Sequence, residues 1–267
     1  MNDKDYDLIK KAIRTNLDIN LDYYKPGQMQ RRLESFVERY GNGNVEGFCV
    51  KLKQDKVIAE TLRNFLTINV TEFFRDSNQF DQLRSIVLPE IIKNTSSPKI
   101  WSAGSSRGNE AYSVAIYMDM LKPGQRFTLV GTDIDEGSMA ISRNGGPYPE
   151  NEIKNAPVAV RSKYFEKRDT GWYVKPEIAR KAKFSKLNLL SDTFDRAFDL
   201  IMCRNVVIYF SEEAKEQLNK KFVAALKPGG VLFVGGTETI PNPKEFGLER
   251  FAPSLYRKTA ATMRAAA

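Results

Sequence analysis

Two short segments of this 267-residue chain carry residues whose types and spacing suit a nucleoside. The first is a loop of small residues that contains Gly104 and Gly108, and residues without a Cβ let a ligand approach the backbone closely. The second follows about 30 residues later and ends in Asp133, whose carboxylate can accept hydrogen bonds from ribose hydroxyls. The glycines do not have the Gly-x-Gly-x-x-Gly spacing of a dinucleotide fold, and a Walker loop is missing. The segments therefore predict a nucleoside ligand without a polyphosphate.

The residue inventory excludes several kinds of catalysis. The chain contains no histidine, so a Ser-His-Asp triad, a Cys-His pair and the common zinc sites are excluded. Its two cysteines, Cys49 and Cys203, have no metal-ligand spacing and are predicted to be small buried apolar residues. We expect no metal, and any reaction must proceed without an imidazole. S-adenosylmethionine, a nucleoside that lacks phosphate, fits the predicted ligand.

From about Pro98 onward, apolar strands alternate with helices. Such alternation predicts a mostly parallel, Rossmann-like α/β sheet with helices on both faces. Ser211 is predicted to start a helix that ends at Pro228-Gly229-Gly230, and Asp135 is predicted to cap another. A small β-hairpin is predicted as an insertion at about residues 164–184. The predicted strands cover residues 99–103, 127–132, 198–203 and 231–235.

Residues 1–92 are predicted to form an all-α domain, followed by the α/β domain over residues 93–260. One predicted helix has an apolar face with helical spacing, formed by Met29, Leu33, Phe36, Val37 and Tyr40. Its opposite face carries Gln28, Arg31, Arg32, Ser35 and Arg39. That face is either an ordinary solvated surface or a basic stripe that docks an acidic partner. The net charge of residues 1–80 does not decide between these two interpretations, because this part of the chain contains 13 Lys+Arg and 12 Asp+Glu.

Composition indicates a globular protein, with 42% hydrophobic and 28% charged residues. Apolar runs fall short of the ~20 residues of a membrane span. The polar start of the chain is unlike a secretory signal, so we expect a cytoplasmic protein without membrane insertion. The net charge of +8 suits nucleic acid, an acidic membrane surface or an acidic protein partner.

Three further strings make the pattern specific when taken in order with the glycine loop and Thr132-Asp133. They are Asn69-Val70-Thr71-Glu72-Phe73-Phe74-Arg75, Asn188-Leu189-Leu190 and Cys203-Arg204-Asn205-Val206-Val207-Ile208-Tyr209-Phe210. Together they resemble the CheR family of chemotaxis methyltransferases, from about Leu66 to Glu238. The helices before Leu66 resemble that family more weakly.

This resemblance implies a class I methyltransferase that transfers the methyl group of S-adenosylmethionine to glutamate carboxylates of bacterial chemoreceptors. We would expect a monomer that docks cytoplasmic receptor domains through Arg31, Arg32 and Arg39 and does not bind nucleic acid. By the same resemblance, Tyr209, Arg75 and Arg204 are the catalytic candidates. The implied cofactor contacts are Asn69, Thr71, Arg75, Ala103, Gly104, Glu110, Asp133, Asn188, Leu189, Asn205 and Val206.

The chain departs from the family pattern at two places. Gly108-Asn109-Glu110-Ala111 stands where the family usually has Gly-Glu-Glu-Pro, so one of the two acids is kept. The insertion at residues 164–184 is short compared with relatives whose hairpin captures a receptor peptide. Two alternatives stay open: a nucleic-acid methyltransferase, indicated by the basic charge, and a non-catalytic cofactor-binding sensor or scaffold, indicated by Asn109. Against the first, Arg204-Asn205-Val206 occupies the place of the Asn/Asp-Pro-Pro-Tyr/Phe string of amino-methylating relatives.

Overall fold

The structure, a computed structural model, describes residues 1–67 and 71–259. The chain forms two compact units, Met1–Asn69 with Tyr209–Glu216, and Val70–Ile208 with Gln217–Ala267. The sequence placed the boundary near residue 92 instead. The difference arises because the helices over residues 77–94 bury their apolar side chains, among them Phe80, Leu83 and Leu88, in the core of the second unit.

The first unit is helical, as the sequence predicted. Its helices are α1 (Asp3–Leu17), α2 (Pro26–Gly41), α3 (Val45–Gln54) and α4 (Lys56–Thr67). Asn2 and Asn44 cap α1 and α3, because each side-chain oxygen accepts a hydrogen bond from a backbone N–H in the first turn. The predicted apolar face of α2 is buried at Met29, Leu33, Phe36 and Val37, and Tyr40 is half-buried.

The basic face of α2 differs from the prediction at one residue. Arg31 and Arg39 are exposed, but Arg32 is half-buried. The Arg32 guanidinium donates a hydrogen bond to the carbonyl of Phe65 and lies 4.6 Å from the centroid of the Phe65 ring. Burial lowers the pKa of Arg32. Tertiary packing against α4 has therefore removed Arg32 from the solvated stripe that helical periodicity assigned to it.

The second unit contains a seven-stranded sheet in the order β5-β2-β1-β6-β7-β9-β8. Strands β5, β2, β1, β6 and β7 are parallel to one another, and β9 is antiparallel to both β7 and β8. A Rossmann-like sheet is therefore confirmed. The strands of this sheet are β1 (Lys99–Ala103), β2 (Thr128–Asp133), β5 (Ala182–Lys186), β6 (Phe198–Cys203), β7 (Leu226–Val234), β8 (Leu248–Ala252) and β9 (Leu255–Lys258).

Helices cover both faces of this sheet, which explains why its central strands are apolar on both sides. Ile100 and Leu200 belong to a core shared with α7 (Asn109–Leu121), whereas Trp101 faces the other way. The Trp101 ring lies 5.6 Å from that of Phe222 on α12 (Glu212–Ala225). The remaining helices are α5 (Ser77–Gln82), α6 (Leu88–Asn94), α8 (Glu136–Asn144), α9 (Glu150–Ile153), α10 (Val158–Tyr164) and α11 (Pro176–Ala179).

The predicted insertion is present but shorter than expected. Strands β3 (Phe165–Arg168) and β4 (Gly171–Val174) form an antiparallel pair joined by a turn at Asp169 and Thr170. The last part of the predicted segment belongs instead to β5, which pairs in parallel with β2. A short strand at the edge of a parallel sheet has no periodicity that separates it from a hairpin strand, and only its pairing with β2 shows where it belongs.

The last three strands along the chain, β7 to β9, also differ from the prediction. Strand β7 starts at Leu226 and contains Pro228-Gly229-Gly230, which was expected to lie between the helix and the strand. Its pairing with β6 is irregular here, with a register shift between Phe198 and Leu200. Strands β8 and β9 then add an antiparallel edge that the sequence did not predict.

Candidate functional site

The carboxyl ends of four neighbouring parallel strands form the framework of the candidate site. β1 lies between β2 and β6, so the chain direction across the sheet reverses at this strand. In open α/β sheets, ligands bind beyond the strand ends at such a reversal. The residues that directly follow these ends include Gly104 after β1, Arg204 after β6 and Gly235 after β7, and Asp133 ends β2.

The glycine loop is tied to the end of β2 by its backbone. The N–H groups of Gly104 and Ser105 both donate to the Thr132 carbonyl at 2.8 Å. Gly104 has a φ of 74°, and a Cβ at this position would lie 2.5 Å from Cγ2 of Val206. A side chain is therefore excluded by conformation and by space, and the loop after β1 packs closely against the turn after β6.

Asp133 is a buried carboxylate held by backbone donors. Its Oδ2 accepts from the N–H of Ser106 at 2.8 Å, and its Oδ1 accepts from the N–H of Asp135 at 3.0 Å. Burial raises the pKa of Asp133 to about 6, and the backbone donors oppose that rise. Each carboxylate oxygen keeps further lone-pair capacity. The group can therefore accept two more hydrogen bonds, as a pair of ribose hydroxyls would require.

A compact turn at Asn188 lies beside Asp133. The N–H of Leu187 donates to the Asp133 carbonyl at 2.9 Å, which brings the chain after β5 alongside the end of β2. In this turn, the side-chain oxygen of Asn188 accepts from the N–H of Leu190 at 3.1 Å. Leu189 is buried. The turn thus combines an apolar side chain with polar backbone groups beside Asp133, an arrangement that suits a purine base.

Glu110, in the first turn of α7, is the second acid of the site. Its Oε1 accepts from the hydroxyl of Ser102 at 2.7 Å, and its Oε2 lies 3.3 Å from Nη1 of Arg204. The side chain is 14% exposed, so the carboxylate is mostly withdrawn from water. Glu110 on α7 and Asp133 at the end of β2 are thus the two carboxylates of the site, and Arg204 pairs with the first of them.

Arg204 is the cation at the centre of this network. Its Nη2 donates to Oδ2 of Asp76 at 2.8 Å and to Oε1 of Gln79 at 3.2 Å. The guanidinium carbon lies 5.0 Å from the ring centroid of Phe80 and 4.7 Å from that of Phe233. The Arg204 side chain is 2% exposed, and both of its terminal nitrogens donate to protein groups, whereas its buried Nε has no partner among the described residues.

The segment that carries Thr71 and Arg75 is anchored on both sides. The N–H of Phe73 donates to the Glu152 carbonyl at 2.8 Å, and the N–H of Phe74 donates to the hydroxyl of Ser113 at 3.0 Å. Phe74 has a φ of 52°, in the left-handed region that costs a non-glycine residue about 1–2 kcal/mol. Thr71 and Arg75 are half-buried. Asn69, the other residue expected in this loop, lies outside the described residues.

Glu238 holds the turn after β6, and sequence analysis did not assign it a role. Its Oε2 accepts from the N–H of Asn205 at 2.6 Å and of Gly235 at 2.8 Å, and its Oε1 accepts from Val207 at 3.0 Å. These bonds keep Asn205 at a φ of 60°. Burial raises the pKa of Glu238. The sequence signal was a lone acid shortly after a buried strand, which is too common to identify such a clamp.

Comparison with known proteins agrees with this geometry. The family profile described as "CheR methyltransferase, SAM binding domain" matches residues 69–252, and "CheR methyltransferase, all-alpha domain" matches residues 4–67. A chemotaxis protein methyltransferase of Listeria innocua is 35% identical over 96% of this chain and 98% of its own length. That of Borreliella burgdorferi is 33% identical over 93% of this chain and 92% of its own length.

The chain belongs to the CheR methyltransferase family. Salmonella typhimurium has a further relative, a chemotaxis protein methyltransferase that is 32% identical over 93% of this chain and 88% of its own length. Among solved structures, an O-methyltransferase family protein from Burkholderia thailandensis has a TM-score of 0.45 at 12% identity and covers 78% of this chain and 62% of that one.

The structure explains how this CheR-family chain accommodates Asn109 where the family usually has an acid. The Asn109 side-chain amide donates to Oε2 of Glu152 at 2.8 Å, and Nη1 of Arg107 donates to Oε1 of the same carboxylate at 2.7 Å. Asn109 is fully buried. An acid at position 109 would face Glu152, so the substitution matches its partner and leaves Glu110 in place.

Tyr209, the third catalytic candidate in this CheR-family chain, belongs to the helical unit. Its carbonyl accepts from the N–H of Lys25 at 3.0 Å, and the N–H of Ser211 donates to the carbonyl of Tyr23 at 2.8 Å. The side chain of Tyr209 is half-buried. Backbone bonds within the helical unit therefore hold Tyr209 and Ser211 against the chain before α2.

The described residues, 1–67 and 71–259, lack two kinds of feature. Within them, His, Cys, Asp and Glu side chains form no group of three or more that could hold a metal ion. Among the helices in those ranges, none combines the length and apolar character needed to cross a bilayer. Cys203 is buried, as predicted, whereas Cys49 is half-buried, and both are free thiols.

Proposed function

We propose that this chain transfers the methyl group of S-adenosylmethionine to glutamate side-chain carboxylates of bacterial chemoreceptors, forming methyl esters. The observation that carries the proposal is the pair of acids on either side of the glycine loop, Asp133 at the end of β2 and Glu110 in the first turn of α7, both largely shielded from water. Its support comes from CheR family membership and from relatives named chemotaxis protein methyltransferases.

The residues of the site fit the chemistry of S-adenosylmethionine, with one carboxylate for its ribose hydroxyls and another for its amino group. The cofactor would place its ribose at Asp133, its adenine at Asn188 and Leu189, and its amino group at Glu110. Ala103 and Gly104 would lie against it, at the end of β1. Asn69, Thr71 and Arg75 would cover its methionine end. Asn205 and Val206 would line the sulfonium side, on the turn that Glu238 holds.

The proposed reaction needs no general base. A glutamate carboxylate has an ordinary pKa of ~4.3 and is already ionised at neutral pH. The bound cofactor supplies an activated methyl group and its own leaving group. The residues of the chain then have to position the carboxylate in line and exclude water from it. Because no residue has to remove a proton from the substrate, this reaction can proceed in a chain that contains no histidine.

Of the two arginines proposed to steer the substrate carboxylate, we favour Arg75. Arg204 is almost fully buried and bonded to Glu110, Asp76 and Gln79. If the Arg204 guanidinium left those partners to bind a substrate, the largely buried carboxylate of Glu110 would lose its cation, at a high cost in free energy. Arg75 is half-buried. We further propose that Tyr209 shapes the approach of the carboxylate, so that Tyr209→Ala lowers kcat far more than it changes cofactor affinity.

For receptor docking we propose Arg31 and Arg39, the exposed arginines of α2. Their partner would be an acidic helical surface, with attraction screened by salt over about 10 Å at 0.1 M. Reversing both charges with Arg31→Glu and Arg39→Glu should slow receptor methylation and remove part of its salt dependence. A rate that responds neither to the charge reversal nor to ionic strength would exclude docking through this face.

The test of the function is methylation of a purified receptor cytoplasmic fragment with radiolabelled cofactor. We expect base-labile label on the receptor, and peptide mass spectrometry should place the methyl on glutamates. Asp133→Ala should lose cofactor binding in calorimetry together with the activity. Stable label on nucleic acid, or binding without transfer to any receptor fragment, would contradict the proposal and favour one of the two alternatives left open by the sequence.

A further inference from the structure

Lys221, on the face of α12 that meets the sheet, contacts the turn proposed to hold adenine. Its Nζ donates to the carbonyl of Leu189 at 2.7 Å and to the carbonyl of Asp192 at 2.8 Å. The same Nζ lies 4.1 Å from the ring centroid of Phe194. One ammonium therefore joins two points of the turn to a helix about 30 residues further along the chain.

The turn itself, residues 188–192, is closed by local hydrogen bonds. The N–H of Asn188 donates to Oδ2 of Asp192 at 2.8 Å, and the N–H of Asp192 donates to the Asn188 carbonyl at 2.9 Å. These bonds set the shape of the turn, and the bond from the Leu187 N–H to the Asp133 carbonyl joins its start to the end of β2. Lys221 adds a second attachment, because its two bonds run from the turn to α12.

The surroundings of Lys221 suit a fixed donor better than a mobile surface charge. Burial lowers the pKa of Lys221, and the charge of Asp192 opposes that change. The Phe194 ring offers its face to the ammonium, an interaction that strengthens when the pair is withdrawn from water. Hydrogen bonds from a charged donor to carbonyls are stronger than neutral ones. The neighbouring Lys220, by contrast, is exposed.

We propose that Lys221 is a positioning residue for the adenosine end of the cofactor, acting through the backbone of Leu189 and Asp192. The inference rests on the proposed placement of adenine at Asn188 and Leu189. It predicts that removing the Lys221 ammonium weakens the binding of every ligand that contains adenosine. The rate of methyl transfer at saturating cofactor should change little.

The test compares Lys221→Met with Lys221→Arg and with Lys220→Met, the matched control on the same helix. Calorimetry measures binding of S-adenosylhomocysteine and of 5′-methylthioadenosine, which lacks the amino-acid end. We expect Lys221→Met to weaken both ligands by a similar factor of about ten, equivalent to ~1.4 kcal/mol. The KM for the cofactor should rise likewise, with kcat within about twofold of wild type. Lys221→Arg, which keeps charged donors, should restore most of the affinity, and Lys220→Met should match wild type.

Three results would overturn the inference. Wild-type affinity of Lys221→Met for both ligands is the first, and a loss confined to S-adenosylhomocysteine is the second, because the defect would then lie at the amino-acid end. The third is a fall in kcat at saturating cofactor without a change in affinity. Should Lys221→Met fail to fold, Lys221→Gln is judged by the same criteria. A wild-type protein that binds neither ligand would instead contradict the proposed function.

Discussion

Replacing Arg204 by methionine tests whether this side chain holds the site together or acts on the substrate. Methionine keeps much of the packing between Phe80 and Phe233 but removes the charge and every donor. The change leaves Glu110, which is 14% exposed, without its cationic partner. Asp76, at 43% exposed, loses a partner as well but can be solvated by water.

The size of the effect follows from these exposures. Breaking a buried ion pair by removing one partner costs about 3–5 kcal/mol, and an exposed pair adds only about 0–1 kcal/mol. The lost contact of the guanidinium with two aromatic rings adds roughly 0.5–2 kcal/mol. We therefore expect Arg204→Met to lower the free energy of unfolding by at least about 4 kcal/mol. Arg204→Lys should lose less, because the charge stays but the planar fork is gone.

Urea unfolding followed by tryptophan fluorescence measures this loss in the relevant part of the chain. Both tryptophans, Trp101 and Trp172, lie in the unit that contains Arg204. Arg196→Met, at an exposed position, is the control and should stay within about 0.5 kcal/mol of wild type. The reasoning fails if Arg204→Met unfolds within about 1 kcal/mol of wild type while its kcat collapses. Arg204 would then act on the substrate.

Three other predictions concern Asp133, Gly104 and Asn109. Because burial raises the pKa of Asp133 to about 6 and only its carboxylate form accepts two ribose hydroxyls, affinity for S-adenosylhomocysteine should fall as the pH drops through 6. Calorimetry from pH 5 to 8 checks this, and Asp133→Asn should bind weakly without that dependence. Gly104→Ala should lose at least about tenfold in the same affinity, because its Cβ would lie 2.5 Å from Val206, in addition to a left-handed strain of about 1–2 kcal/mol. Gly124→Ala carries a similar φ of 79° with nothing within 4 Å, so equal losses in binding for both variants would refute the steric explanation. Asn109→Glu should destabilise the fold by at least about 2 kcal/mol in urea, because two carboxylates would meet, and adding Glu152→Gln should recover most of that loss.

Much of the fold followed from local pattern alone. Near-continuous apolar runs predicted the central strands, since a strand buried on both faces has few polar positions. The four apolar residues of α2 from Met29 to Val37 are buried because helical spacing puts them on one side. Gly104 and Asp133 could be expected to lie near each other because adjacent parallel strands end at the same edge of the sheet.

The side chains that hold the site in place could not be predicted from local sequence pattern. Glu238, Glu152 and Lys221 contact residues 29 or more positions away in the sequence, and no periodicity relates them to their partners. Their value as buried acceptors or donors exists only after packing has removed competing water.

The sequence by itself determined the central parallel strands and the helical first unit, and it placed Asp133 and a glycine loop at the ends of two of those strands. Only the tertiary structure decided what each charge is paired with. It buried Arg32 against Phe65, enclosed Arg204 between two rings, and turned Glu238 into a backbone clamp. The physical reason is that strand and helix patterns depend on near neighbours, whereas the partner of a buried charge is set by elements that meet only when the chain has folded.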